Sequence, residues 1–481
     1  MDHAAVLQGE SLMSKTTTLS LLAGAGVALG SAPAAFAADQ AYTNADEVRS
    51  IVSEMLADAE TRSSLMTSAG AGGYDDGFYL ADSTGNFRLN ITGAVQFRYT
   101  LNFRDKNDEL DESDFDSGFS TPRTDLQFNG NVINPNIFYT VWARFDSDGG
   151  SFDLSDAFVG YRFDNGFYLK WGQFRAQFLR EDNVRGYYQL AADRSLTNQV
   201  FRQGNVQGIE LGYESEDFRI IGAFSDGLNS ANSEFSSNPS YTAFYDPITG
   251  DLSRIAPGIA AQGAGETDLA FTLRAEIKFA GTWDQFTDFT SMPGDEFAWM
   301  LGFAGHFQYT DSDRVTITEV PPPAVPAGTG GNQWYGSWTV DLSFEGNGWN
   351  FFFAGVGGYS QYDDITTNNG TGDRADRTFD DYGLVAQGGI FIPESDWEFF
   401  VRYDGTFFDD NDRAPGGTDT FSTVTFGTNW YWSGHAAKFT FDVQWFLDSR
   451  HQILVREEKL GWLGSGNDNE FSLRFQFQLL F

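Results

Sequence analysis

The 481-residue chain contains no cysteine. That excludes a disulfide framework, a thiolate nucleophile and a Cys-based metal site. Long apolar runs are missing too. Mean hydropathy is −0.34, and nothing after residue 40 approaches the 18 consecutive apolar residues that a membrane-crossing helix needs. A helical membrane protein is therefore excluded. Positive charge is scarce: 30 Lys+Arg stand against 67 Asp+Glu, for a formal charge of −37. This argues against nucleic acid as a partner, and against plain adhesion to anionic lipid. Histidine is limited to four residues. His3 precedes the mature chain, His306 falls on a strand facing inward, His435 in a turn and His451 in a loop. Nothing fixes a Ser or carboxylate beside any of them as a triad requires, so no enzyme, cofactor or metal is implied. The acidic run Asp105 to Glu112 has calcium-loop composition, but Leu110 stands where that loop needs Gly. It reads as a solvated, self-repelling loop.

Aromatic residues, by contrast, reach 16%, with 47 Phe, and Gly reaches 53. That mixture suits aromatic girdles and tight turns on many strands. The chain ends on Phe471, Leu473, Phe475, Phe477, Leu479 and Phe481, alternating with Ser472, Arg474, Gln476 and Gln478. Successive strand side chains point to opposite faces, so this segment is greasy on one side and polar on the other. Its length is about what a tilted strand needs to cross a bilayer, roughly 9–11 residues. The last edge strand of a soluble sandwich would show the same pattern.

At the N-terminus, Met13-Ser14-Lys15 opens a positive segment and Leu19 to Leu29 is an apolar one. Ala35-Phe36-Ala37 supplies a small-x-small cleavage pattern. Residues 1–37 read as a signal peptide with Met13 as its true start, and 38–86 as a periplasmic helix and Gly-rich linker. The helix spans 44–66, capped by Asn44 with Glu47 three residues on, and Val48, Ile51, Val52, Met55 and Leu56 form its apolar face.

From Phe87 the period becomes two and stays so to Phe481. Strands are predicted near 87–104, 122–133, 137–146, 151–163, 167–174, 205–214, 218–225, 268–280 and 297–310. Further strands follow near 333–345, 349–361, 381–392, 397–408, 421–432, 438–448 and 470–481. Every second connector is short: Asn134-Pro135-Asn136, Asp164-Asn165-Gly166, Glu214 to Asp217, Glu345 to Gly348, Pro393 to Asp396 and Ser433 to Ala437. The others are longer and polar: 105–120, 226–267, 311–332, 362–380 and 449–469. The segment 281–296 is a longer connection on the short-turn side. Sixteen strands, alternating short and long connectors and both ends on one side describe an all-β protein. It is a 16-stranded antiparallel transmembrane barrel over 87–481, in a bacterial outer membrane and in contact with its lipid.

Trp171-Gly172-Gln173-Phe174-Arg175-Ala176-Gln177-Phe178 is similar to the Gly-Gln-Phe-Lys-x-Pro-Phe stretch of the phosphate-selective porin O and P family. So are Asp193-Arg194-Ser195-Leu196 and Gln207-Gly208-Ile209-Glu210-Leu211. The helix before the barrel resembles that of planctomycete members. The resemblance implies a usually homotrimeric porin whose third outer loop folds into the pore. By strand count that loop is 175–204. A terminal aromatic on a membrane strand resembles outer-membrane barrels whose assembly machinery reads that end, which assigns an assembly signal to Phe481. The chain departs from phosphate-specific members in its lysines, reduced to Lys15, Lys106, Lys170, Lys278, Lys438 and Lys459.

The implied function is passive diffusion of small hydrophilic solutes or ions. The alternative is a structural or adhesive surface barrel whose contact surfaces are the 226–267 and 311–332 loops. Inward positions on the first five strands carry Arg88, Arg98, Arg104, Arg144, Arg162 and Lys170 against Asp125 and Asp156. The third loop adds Arg175, Arg180, Arg185, Arg194 and Arg202 against Glu181, Asp182 and Asp193. Arginine forks suit carboxylate and phosphate oxygens, and a narrow passage focuses their field. A basic constriction favouring small anions is one expectation. The other is that these arginines pair with nearby carboxylates and hold the third loop in place.

Overall fold

The computed structural model describes residues 53–54, 71–75, 77–103, 115–145, 152–232, 240–245, 252–255, 267–310, 316–318, 333–366, 374–409, 420–448 and 470–481. The chain divides into two compact units, Met1–Ser64 and Leu65–Phe481. The signal peptide, most of the 44–66 helix, the acidic run 105–112, Arg104 and His451 lie outside the described residues.

Two short strands come first, β1 (Ala71–Tyr74) and β2 (Phe78–Ala81). The barrel then begins with β3 (Arg88–Phe103), β4 (Phe115–Val132), β5 (Asn134–Phe145), β6 (Phe152–Arg162), β7 (Phe167–Arg175), β8 (Asn205–Glu214) and β9 (Phe218–Ser225). Two loop strands, β10 (Ser240–Tyr245) and β11 (Leu252–Ile255), precede β12 (Leu269–Ala280) and β13 (Ala298–Thr310); β14 (Thr316–Thr318) is again a loop strand. The barrel continues through β15 (Gln333–Gly346), β16 (Trp349–Thr366), β17 (Arg374–Phe391), β18 (Trp397–Phe407), β19 (Thr420–Ser433), β20 (Ala437–Phe446) and β21 (Phe471–Leu480). Each barrel strand pairs antiparallel with the next. The ring closes between β21 and β3, from Phe471 opposite Phe103 to Leu480 opposite Ala94. Sixteen strands thus form one closed antiparallel barrel, and closure is physically required because an open edge would leave unpaired backbone groups in lipid.

The alternation resolves as expected. Val95, Phe97, Ile209, Leu211, Leu273, Phe399 and Val401 are exposed on the outer face, while Gln96, Arg98, Glu210, Arg274 and Arg402 on the same strands are buried inside. An exposed belt of Phe, Leu, Val and Trp around a closed sheet with a polar interior is stable only in lipid, and the barrel is an outer-membrane protein. No helix among the described residues is long and apolar enough to cross a membrane.

Several connectors differ from expectation. The first short turn lies at Ile133 (φ 69°) instead of across Asn134 to Asn136. The Asn134 side chain accepts from the amides of Asn136 and Ile137, which lets β5 start at once. Strands β4, β16 and β17 reach into the outer loops expected at 105–120 and 362–380. Residues expected as a linker over 68–86 instead build the β1–β2 hairpin. Its second strand pairs with β3 from Phe78 opposite Ile91 to Ala81 opposite Arg88, below the point where β21 ends. The outer loops 226–267 and 311–332 share a three-stranded sheet of β11, β10 and β14.

Candidate functional site in the barrel lumen

The third loop follows β7 at residue 176 and returns at β8. Its burial is nearly continuous, because it folds inward instead of over the rim. Within it lie a helical turn, Arg180–Asn183, a 3-10 turn, Gly186–Tyr188, and a helix, Leu196–Phe201. Ser195 caps that helix, its hydroxyl accepting from the Asn198 amide at 3.0 Å. Ser195 is itself held by Glu181, whose Oε1 accepts from the Ser195 amide at 2.6 Å.

The loop buries apolar residues such as Phe178, Leu190, Leu196 and Phe201, and polar groups from the barrel wall hold its backbone. Asp442 accepts from the Ala192 amide at 2.9 Å and Asp404 from the Leu196 amide at 3.1 Å. Loop carbonyls accept in turn: Leu190 from Asn429 at 3.0 Å, Gln189 from Lys438 at 2.9 Å, Asp193 from Arg402 at 2.8 Å, and Tyr187 from Gln478 at 3.1 Å. At the centre, the Asp193 carboxylate meets Arg123 at 2.8 Å, Arg474 at 3.4 Å and a two-pronged contact from Arg98. Burial pushes the Asp193 carboxyl up, but Arg98, Arg123 and Arg474 together outweigh it and leave the group below its ordinary value. Glu181 goes the other way: burial raises it, and Arg402 and Ser195 only partly compensate.

A second insertion enters from the opposite rim. The connection 281–296, expected as a long short-side turn, bends into the lumen and meets the third loop. Phe289 packs with Val184, Leu190 and Ala191 of the loop and with Phe352, Ala354, Val385 and Phe400 of the wall. Arg180 donates to the carbonyls of Phe286 at 2.8 Å and Asp288 at 3.2 Å, and to Ser343 Oγ at 2.7 Å. Thr290 and Tyr431 share a hydrogen bond of 3.0 Å. His435 Nε2 lies 3.3 Å from Asp288 Oδ2. Together these contacts form a clasp that ties the third loop to β15–β19 and to the turn at His435.

The arginines and the lysine singled out from sequence fall into two groups. Arg98, Arg175, Arg180 and Arg194 are committed to the loop. Arg175 donates to the Asp182 carbonyl at 2.7 Å, and Arg194 to the Glu181 carbonyl at 2.9 Å and the Val184 carbonyl at 2.6 Å. Burial, then the neighbouring Arg175, pushes the Arg194 guanidinium down to about 9. The charge of Arg202 reaches Asp182, which with Arg175 and Arg194 overcomes the burial that would raise that carboxyl. Lys170 pairs with Glu210 at 2.9 Å and Arg162 lies 4.1 Å from the Phe138 ring centre. Arg144 and Arg185 converge on Trp142, at 5.4 and 4.3 Å from a ring centre. Arg144 also reaches Asp125 at 3.1 Å and keeps a third of its side chain in water.

Arg123, not among the inward arginines named from sequence, shares the parity of Asp125 and sits opposite Gln96. The apolar pair Phe286 and Phe289 in a short-side connection was the available signal for the clasp. His306 faces the lumen as expected, bonded to Thr272 at 2.9 Å. Among the described residues no cluster of His, Cys, Asp and Glu could hold a metal.

A family model described as phosphate-selective porin O and P matches residues 89–262. No curated protein matches the chain. Among solved structures, OmpT of Vibrio cholerae is similar at 8% identity, over 82% of this chain and 98% of that one, with a TM-score of 0.48. The outer-membrane channel DcaP of Acinetobacter baumannii is similar at 12% identity, over 85% and 100%, with a TM-score of 0.47. OprB of Pseudomonas putida is similar at 11% identity, over 88% and 96%, with a TM-score of 0.47.

Proposed function

We propose that this barrel is a porin, a passive path for small hydrophilic solutes that uses no cofactor and catalyses no reaction. The observation that carries the reading is the uneven filling of the lumen. The third loop and the clasp cover one wall, while Asn90, Thr92, Asn129 and Arg144 on β3–β5 remain partly in water. A polar lumen narrowed on one side and wetted on the other suits diffusion of hydrated solutes. Arg144 and Arg185 give that wetted wall its positive members and a preference for small anions. Arg98, Arg175, Arg180, Arg194 and Arg202 then act by placing the loop that forms the constriction, and Arg162 and Lys170 line its approaches. The partial match to the porin O and P model supports a porin of that kind, and a homotrimer is the assembly it suggests.

Phe481 acts as the assembly signal. Its ring lies against Gly93 of the first barrel strand, and the two residues exchange backbone hydrogen bonds of 2.6 and 3.0 Å. Deleting Phe481 should lower outer-membrane levels while leaving export intact; normal levels of the truncated chain would refute that role.

Single-channel recording in a salt gradient tests the porin. The expected result is a water-filled conductance with a reversal potential on the anion side. A second reading, a structural or adhesive surface barrel, draws on the sheet that two outer loops build together. A barrel that inserts but passes no current would favour it.

A further inference from the structure

Two strands of the sheet stand outside the closed ring. β21 covers the edge of β3 only as far as Leu480 opposite Ala94, with Phe481 bonded to Gly93 just below. β2 takes the same edge from Ile91 to Arg88, and β1 pairs with β2 up to Tyr74 opposite Phe78. Gly77 sits at the changeover, where a Cβ would collide with the Thr92 side chain, so the junction needs glycine.

The hairpin repeats the alternation of the wall. Phe78 and Leu80 stand opposite Ile91 and Leu89, which share the parity of the outward Val95 and Phe97. Phe78, Leu80 and Phe87 are each more than half exposed. Tyr74 packs edge-to-face on Phe78 with ring centres 5.4 Å apart. The opposite face is polar: the Arg88 guanidinium lies 4.4 Å from the Tyr79 ring centre and pairs with Asp75 at 3.2 Å. A short hairpin is marginal in water, and an apolar sheet face this open calls for a cover.

Closure of the ring does not supply that cover, because β1 and β2 lie outside it. Depth narrows the choice. The outward apolar positions of β3 run from Leu89 to Phe103, about 33–38 Å along the membrane normal at the usual strand rise and tilt, against an apolar band of about 25 Å. One end must therefore leave the hydrocarbon. β1 identifies which, since its register pairs it with β2 alone. An open strand edge is not tolerated in hydrocarbon, whereas water and the phosphate and ester oxygens of headgroups satisfy it. Tyrosines such as Tyr74 and Tyr79 suit the same level.

We propose that the β1–β2 hairpin is an interfacial anchor, with Phe78, Leu80 and Phe87 seated in the phospholipid headgroup zone on the short-turn side of the membrane. The partner is lipid because this face continues the lipid-facing side of β3 through the Phe78–Ile91 and Leu80–Leu89 pairs. The anchor holds the lower end of β3, beside the seam with β21, at the membrane surface. It follows from the outer-membrane location and stands whether or not the lumen conducts.

The test uses the full-length chain with one introduced cysteine carrying an environment-sensitive fluorophore. Leu80→Cys and Phe78→Cys report the apolar face, Ala81→Cys the opposite face at the same depth, and Phe97→Cys the hydrocarbon. Each variant that keeps folded-barrel mobility on unheated gels enters vesicles of phosphatidylethanolamine and phosphatidylglycerol, with a nitroxide either on the headgroup or deep in the acyl chain. Emission from Leu80→Cys and Phe78→Cys should be blue-shifted and quenched more by the headgroup nitroxide than by the deep one. Phe97→Cys should show the reverse order, and Ala81→Cys the least quenching. Three results would overturn the anchor: equal quenching at Ala81→Cys and Leu80→Cys, stronger quenching of Leu80→Cys by the deep nitroxide, or no quenching of Leu80→Cys by either. In the last case a blue-shifted emission would identify a protein cover, a second copy or the N-terminal segment, and an unshifted one would identify water.

Discussion

On β18 to β21, Glu398, Arg402, Asp404, Thr425, Lys438, Thr440, Asp442, Arg474 and Gln476 are all no more than 2% exposed. On β3 to β5, Gln96, Arg98, Asp125 and Gln127 are buried too, but Asn90, Thr92 and Asn129 toward the short-turn rim, and Arg144, stay partly in water. Both walls come from strands with the same alternation and similar polar content. They differ in what stands before them. The third loop presents carbonyls and amides of residues 187–196 to the first wall, and the clasp meets that wall at Phe400, Tyr431 and the His435 turn. The comparison teaches that an inward arginine in a barrel is not by position a solute-facing charge. Arg402 and Arg474 are donors to loop groups, whereas Arg144 has one carboxylate partner and water.

The largest effect should come from removing the carboxylate that ties the third loop to both walls. Asp193→Ala leaves Arg98, Arg123 and Arg474 buried around a lost charge, and breaking one side of a buried pair costs about 3–5 kcal/mol. The temperature at which folded-barrel mobility is lost should fall, and single-channel conductance should rise as the loop loosens. Unchanged values in both would show that the loop is held elsewhere.

Next comes the clasp. Phe289→Ala empties part of the cluster around Val184, Leu190 and Phe352, at a cost of about 3 kcal/mol for a buried phenylalanine. The same thermal assay should register it, together with faster proteolysis within 281–296 from the short-turn side.

The clasp also carries a pH dependence. Burial pushes the His435 imidazole below its ordinary 6.5, against the opposing pull of Asp288 and with the help of Lys438. A depressed folded value means that the unfolded chain binds the proton more readily. Stability is therefore full above about pH 6.5 and declines as pH falls through it toward the folded value. His435→Gln should flatten the decline between pH 7 and 5; an identical profile would assign it to other groups.

The smallest energetic effect, and the sharpest for the comparison, is expected at Arg144. Asp125 is buried, but Arg144 keeps a third of its side chain in water and a glutamine can still donate to that carboxylate, so Arg144→Gln should cost about 1 kcal/mol. It should nevertheless shift the reversal potential toward cations. Arg402→Gln should do the reverse, destabilising the barrel with little change in selectivity.

Much of the barrel was legible because lipid imposes a period of two on every strand. The bounds of β8 and β9 coincide with those predicted, and the third loop differs by one residue at its start. The occupancy of the lumen was not legible. Which wall Asp193 would meet depends on three arginines from β3, β4 and β21, brought together only by closure of the ring. The β1–β2 hairpin escaped notice because its Gly-rich sequence has little alternation, and its second strand is set by the edge of β3 that β21 leaves open. Arg144 and Arg185 were both picked from sequence, but their meeting at Trp142 rests on the inward turn of residues 185–188.

Because the chain has no cysteine, a single introduced cysteine reports water access at one chosen place. Arg144→Cys and Thr92→Cys on the wetted wall, and Thr440→Cys and Gln476→Cys on the sealed wall, would each be challenged with a small charged thiol reagent during single-channel recording. The account predicts a stepwise fall in current for the first two and none for the last two. Modification and current loss at Thr440→Cys or Gln476→Cys, with none at Arg144→Cys, would place the path along the opposite wall and contradict the account.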